Sequence, residues 1–172
     1  MSKHIEIQKI FEKNILKKTY TELCYEENSK NSMISSSKKN FSYDLVCSDL
    51  KTSDTIFLFA DKIEFIEFKD VSFNKLAKTD RDFIRQLRLK AIESFITFHN
   101  FLNSNYYPIS KDEISDLNLN YFFVFNKDKF RDKPTLLNAF SAAQLKWTNR
   151  YQGFYKKISF LDHETFIKKY KI

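Results

Sequence analysis

A chain of 172 residues that is 42% hydrophobic is long enough to bury a core of its own and too apolar to be disordered. Its formal charge of +7 favours an anionic partner, although a composition rich in Lys, Phe and Asn is also what an AT-rich coding sequence produces. One glycine in the whole chain, Gly153, excludes phosphate-cradling and dinucleotide-binding loops, and two cysteines with three scattered histidines exclude a C2H2 finger.

In chain order, the first element is an amphipathic helix over residues 4–18. Ile7, Ile10, Phe11 and Ile15 recur at helical spacing among lysines and glutamates. Lys3, His4 and Glu6 break any apolar run at the start, and no stretch is long enough to span a bilayer, so neither a secretory signal nor a membrane partner is expected. Residues 28–40 are rich in Ser, Lys and Asn and read as a flexible loop within a single domain covering 1–172. Cys24 and Cys47 have no metal-ligand spacing, and the expected setting is the cytoplasm, with both thiols free.

Three strand-like runs follow, at 41–47, 55–60 and 63–69, with a hairpin joining the second and third. A long helix from Asp80 to Leu102 is marked by one apolar stripe, Ile84, Leu87, Ala91, Phe95, Phe98 and Leu102. Arg81, Arg85 and Arg88 lie on one shoulder of it, Gln86 and Lys90 on the other. The nearly unbroken apolar run 119–125 reads as a central buried strand. A helix over 134–152 has Pro134 in its first turn and Gly153 past its end. A short strand near 155–160 and a small helix from Asp162 complete the chain. The expected class is α/β, a central mixed sheet flanked by helices.

The run Lys62 to Asp70 carries the most information. Alternate residues of a strand share a face, so Glu67 and Lys69 continue the face that Ile63 and Phe65 begin, while Glu64, Ile66 and Phe68 share the other. Charges at the end of an apolar face are unfavourable unless paired or coordinated. A solvated salt bridge at a strand end is the plain alternative.

A helix, three strands, a helix and a further strand, with Glu67-Phe68-Lys69 on the third strand and Asp44 in Tyr43-Asp44-Leu45-Val46 upstream, resembles the PD-(D/E)xK nuclease superfamily and its restriction-endonuclease-like αβββαβ core. The resemblance covers residues 4–126, and Tyr43 stands where that family often has proline. It implies a metal-dependent nuclease that hydrolyses DNA phosphodiesters, with a place in restriction, defence or a mobile element. Asp44, Glu67 and the Phe68 carbonyl would bind Mg²⁺ or Mn²⁺, and Lys69 would assist the attacking water. Asp54 competes with Asp44 for the upstream position, and Asp49 does so more weakly. Gln86, Lys90 and Glu12 are supporting candidates, as is Glu22. Arg81, Arg85 and Arg88 would track phosphates, or form a solvated shoulder. Cutting both strands of a duplex would call for a homodimer. The alternatives are an inactive binding module of the same fold, and a protein–protein inhibitor or immunity factor in which the tripeptide is accidental.

Overall fold

The hairpin expected from the sequence lies at the middle of a six-stranded sheet. The computed structural model of the chain describes residues 2–26, 30–69, 80–130 and 134–172. Strand β5 (Thr55–Leu58) pairs antiparallel with β6 (Ile63–Lys69). The Phe59 N–H donates to the Lys62 carbonyl at 2.9 Å and closes the turn between them. Strand β4 (Lys39–Ser42) pairs antiparallel with β5, and β1 (Lys17–Thr19) with β4. On the other side β7 (Leu119–Phe125) and β8 (Lys157–Asp162) extend β6 in parallel, so the sheet is mixed and runs β1-β4-β5-β6-β7-β8. A small antiparallel ribbon, β2 (Tyr25–Glu26) with β3 (Asn31–Ser32), stands apart from it.

Helices cover both faces, as an α/β sheet with parallel strands requires. On one face lie α1 (Lys3–Asn14), α3 (Asp80–Ser104) and α6 (Pro134–Arg150). They bury Ile7 and Phe11, Leu87, Ala91, Phe98 and Leu102, and Phe140 and Trp147 against Phe65, Tyr121 and Phe123 of the sheet. On the other face α2 (Tyr20–Leu23) and α7 (His163–Tyr170) pack Tyr20 and Phe166 against Ile66, Phe68, Phe122 and Val124. Each fully buried Phe of this kind contributes about 1.5–3 kcal/mol. Two short helices, α4 (Lys111–Asp116) and α5 (Lys127–Phe130), flank β7 in the chain. The free edge of β8 is covered by α6: Thr148 Oγ1 accepts from the Ile158 N–H and donates to its carbonyl, and Gln144 Oε1 accepts from the Phe160 N–H. An edge strand capped in this way offers little to a foreign strand.

Helix α3 is fixed about its own axis by buried hydroxyls. Tyr43 donates to the Ser94 carbonyl at 2.8 Å, and Tyr155 donates to the Ala91 carbonyl at 2.7 Å. A rotation of α3 would break both bonds, each worth about 1 kcal/mol, and would unpack its apolar stripe. That setting turns Gln86 and Lys90 to one side of the helix and Arg85 and Arg88 to the other, and each pair lines a different cleft.

Several expected boundaries move. The first helix ends at Asn14, with Ile15 already extended, and the residues expected as its last turn become the edge strand β1. The run 41–47 is strand only to Ser42; Tyr43–Leu45 form a 3-10 turn. Within 28–40, residues 28 and 29 lie outside the described residues, and the rest holds β3, buried Met33 and Ile34, and the start of β4. Asp70, the last residue of the run that begins at Lys62, also lies outside the described residues. Among the described residues, no helix is long and apolar enough to cross a membrane.

Candidate active site

The face of β6 that begins with Ile63 and Phe65 looks toward α3. Ile63 and Phe65 are sealed in the aromatic core, and Glu67, next on that face, is also fully buried. Two ammonium groups meet it. Lys69, two residues on along the same face, pairs with Glu67 Oε1, and Lys90 of α3 donates to the same oxygen at 2.5 Å. Glu67 Oε2 is enclosed and has no hydrogen-bond partner among the described residues.

A second carboxylate comes from the residue just before β5. The antiparallel ladder ends with Thr55 opposite Ile66, and Asp54, the next residue back, lies close enough to Glu67 for the two charges to repel. Two bonds hold it there: the Asp54 N–H donates to the Ile66 carbonyl at 3.0 Å, and Asp54 Oδ2 accepts from the Phe68 N–H at 2.5 Å. The preceding loop is tied to α3, because the Ser53 N–H donates to Ser94 Oγ and the Lys51 N–H to Glu93. Asp54 lines a concave cleft, so it is surrounded by protein while keeping some accessible surface.

The electrostatics follow from this crowding. Burial, and then the charge of Glu67, push the Asp54 carboxyl up to about 7, against the opposing pull of Lys90 and Lys69. Burial draws the Lys90 ammonium down, but Glu67 and Asp54 outweigh it and hold its pKa above the usual lysine value. With all four ionised, Asp54, Glu67, Lys69 and Lys90 are balanced in charge.

Before them opens a cleft of about 410 Å³, lined by Asp44, Cys47, Thr52, Asp54, Lys69, Gln86 and Lys90. Asp44, expected on a strand beside Glu67, sits instead on the 3-10 turn, half exposed at the cleft's rim. It accepts from Ser42 Oγ at 2.5 Å and faces Lys18 at 3.7 Å. The cause is a tertiary contact: β4 stops at Ser42, Tyr43 turns inward to the Ser94 carbonyl, and Asp44 on the same 3-10 turn is left outward. Gln86 and Lys90 both reach the cleft. Glu12 is exposed on α1, bonded by Gln8, and Glu22 closes the N-terminal cap of α2 with Thr19; neither lines the cleft. Asp49 accepts from Ser48 in the exposed part of the loop. Arg85 and Arg88 belong to another cleft, on the far shoulder of α3, and the side chain of Arg81 lies outside the described residues. Trp147 is buried, and Tyr151 packs against the same core.

Asp54 and Glu67 are two carboxylates that could hold one hard divalent cation between them. An enclosed carboxylate oxygen without a partner, and a second carboxylate held partly protonated by the first, are both relieved by a cation between them. The Phe68 N–H bonds to Asp54, and its carbonyl shares that edge of the strand. Among the described residues no group of three or more His, Cys, Asp or Glu could hold an ion, so most of the coordination sphere would be water and backbone. Against family models, curated proteins and solved structures, the chain has no match.

The sequence offers Asp54 only as a competitor of Asp44, and it gives no role to Ser53. The signal that favours Asp54 is the hairpin register: pairing Leu58 with Ile63 and counting outward to Thr55 opposite Ile66 leaves Asp54 at the end of the ladder, beside the Glu67 end of β6.

Proposed function

We propose that this chain is a metal-dependent nuclease of the PD-(D/E)xK type acting on DNA phosphodiesters, with Asp54 rather than Asp44 as the partner of Glu67. The observation that carries the reading is the convergence of Asp54, Lys69 and Lys90 at one open cleft, with the fully buried Glu67 behind them bonded to both lysines and its Oε2 without a partner among the described residues. Asp54 and Glu67 would hold Mg²⁺ or Mn²⁺, with the Phe68 carbonyl as a further donor. When bound, such a cation acidifies water and offsets charge on the phosphate. Lys69 would orient the nucleophilic water and offset charge at the phosphate, and Lys90 pairs with the buried Glu67. Gln86 and Asp44 line the substrate side of the cleft. Mg²⁺-dependent cleavage of plasmid and single-stranded DNA tests the reading. It predicts cleavage by the wild type and at least about a 100-fold loss in Glu67→Ala and Lys69→Ala. Equal cleavage by the variants, or none under any divalent metal, overturns it.

One observation favours a second reading, an inactive binding module of the same fold. Two lysines already bond Glu67 Oε1, so the quartet is balanced in charge without any cation and also fastens α3 to the sheet. Under that reading Glu67→Ala lowers stability and no condition yields cleavage.

A further inference from the structure

A second and larger cleft, about 770 Å³, lies on the other shoulder of α3, between it and α6. Its floor is small and apolar, with Ala139, Ala142 and Ala143 on α6 ending at the buried Trp147. Its rim is cationic: Arg85 and Arg88 from α3 face Lys146 from α6, and among the described residues Asp82 is the one acidic residue lining it. Arg88 Nε is enclosed and has no hydrogen-bond partner among the described residues. An enclosed guanidinium donor without an acceptor is unfavourable, and it is satisfied when an anion enters.

We propose that this cleft binds the sugar-phosphate backbone of a nucleic-acid strand, away from the candidate cutting site. The proposal deepens the nuclease reading and takes its choice of anion from it. Three cations spread over two helices match successive phosphates better than a single small anion, and the volume exceeds what one phosphate needs. The alanines leave room for a chain to lie against α6. Arginine is suited to phosphate because its planar fork donates in pairs. The two clefts flank the same helix, with Lys146 beside one and Asp54 beside the other.

The test is fluorescence anisotropy with labelled single-stranded and duplex oligonucleotides across a salt series, without divalent metal so that no cleavage intervenes. Replacing Arg85, Arg88 or Lys146 by alanine should reduce the log–log salt slope by about one each. The triple variant should bind roughly tenfold or more weakly at low salt. Ala142 is exposed, so Ala142→Glu keeps the fold and should weaken binding by setting a negative charge against the phosphates. Lys13→Ala on the outer face of α1 is the control and should change affinity by less than about twofold. Unchanged slopes in all three alanine variants and in Ala142→Glu overturn the proposal. So does competition by polyglutamate as effective as by unlabelled oligonucleotide, which would make an acidic protein the partner. Binding that depends on these residues with no cleavage on adding Mg²⁺ leaves the inference standing and removes the nuclease reading. Cleavage that depends on Glu67 together with unchanged binding in these variants does the reverse.

Discussion

Strand β6 buries two glutamates three residues apart, one on each face, and they end in opposite states. Glu64 is closed off: Tyr170 of α7 donates to Oε2 at 2.5 Å, and Lys62 and Lys169 approach Oε1 at 3.0 and 3.5 Å. Lys169 also lies over the ring of Phe122. Both oxygens are satisfied, and the cluster clasps the C-terminal helix to the sheet. Glu67 is as deeply buried, yet one oxygen carries both lysines, the other is unpaired, and a second carboxylate stands at the edge of an open cleft. Burial with an acid–base pair is therefore not what marks a site. An unsatisfied group beside a like charge that itself lines an open cleft is the feature that separates the two.

The sharpest break of this comparison is a matched pair of substitutions. Glu67→Ala should reduce Mg²⁺-dependent cleavage by at least about 100-fold, whereas Glu64→Ala should leave the rate per folded molecule within about threefold. Turnover measured on samples shown folded by circular dichroism decides it, and similar losses in both would make the two clusters equivalent.

Stability gives the next contrast, through pH. The Asp54 carboxyl is raised from the ordinary aspartate value to about 7, so its native state holds a proton that the unfolded chain releases near pH 4. The stability this contributes is fully present below the unfolded pKa and is lost as pH rises through about 7. Without divalent metal, Asp54→Asn should therefore gain on the wild type by up to a few kcal/mol between pH 4 and 8, as read from denaturant midpoints at constant m. A constant difference across that range would remove the carboxylate repulsion from the account.

For Glu64→Ala, the lost tyrosine bond and the ion pairs should lower stability by about 1–3 kcal/mol, since Lys62 and Lys169 remain partly hydrated. Smaller again is the effect of metal on stability. At pH 8, Mg²⁺ or Mn²⁺ at tenfold over its Kd should stabilise the wild type and the Glu64→Ala variant by about 1.4 kcal/mol, but not Glu67→Ala. A thermal shift retained in Glu67→Ala would place the cation elsewhere.

Long periodic elements were legible in the sequence because each carries its own repeated burial signal. The α3 stripe and the runs 63–69 and 119–125 emerge as α3, β6 and β7 with nearly the expected ends. Elements of a few residues did not, although α2 and α4 each open with a capping box, Thr19 with Glu22 and Ser110 with Glu113. Edge strand β1 has no local pattern and exists because β4 offers it hydrogen bonds. On the site, Lys69 follows from Glu67 by the two-residue period alone.

What the sequence determined by itself, then, is the conflict on β6: charges continuing an apolar face, on a strand ahead of a long helix with two distinct shoulders. Which acid meets Glu67 was decided only in three dimensions. Asp44 and Asp54 are equal as residue types, and both precede β6 in the chain. Tyr43 turns Asp44 outward by reaching for the Ser94 carbonyl, and the same serine, through Ser53, holds the loop that brings Asp54 in. A contact between residues so far apart in the chain is set by how α3 seats on the sheet, and no local pattern encodes that seating.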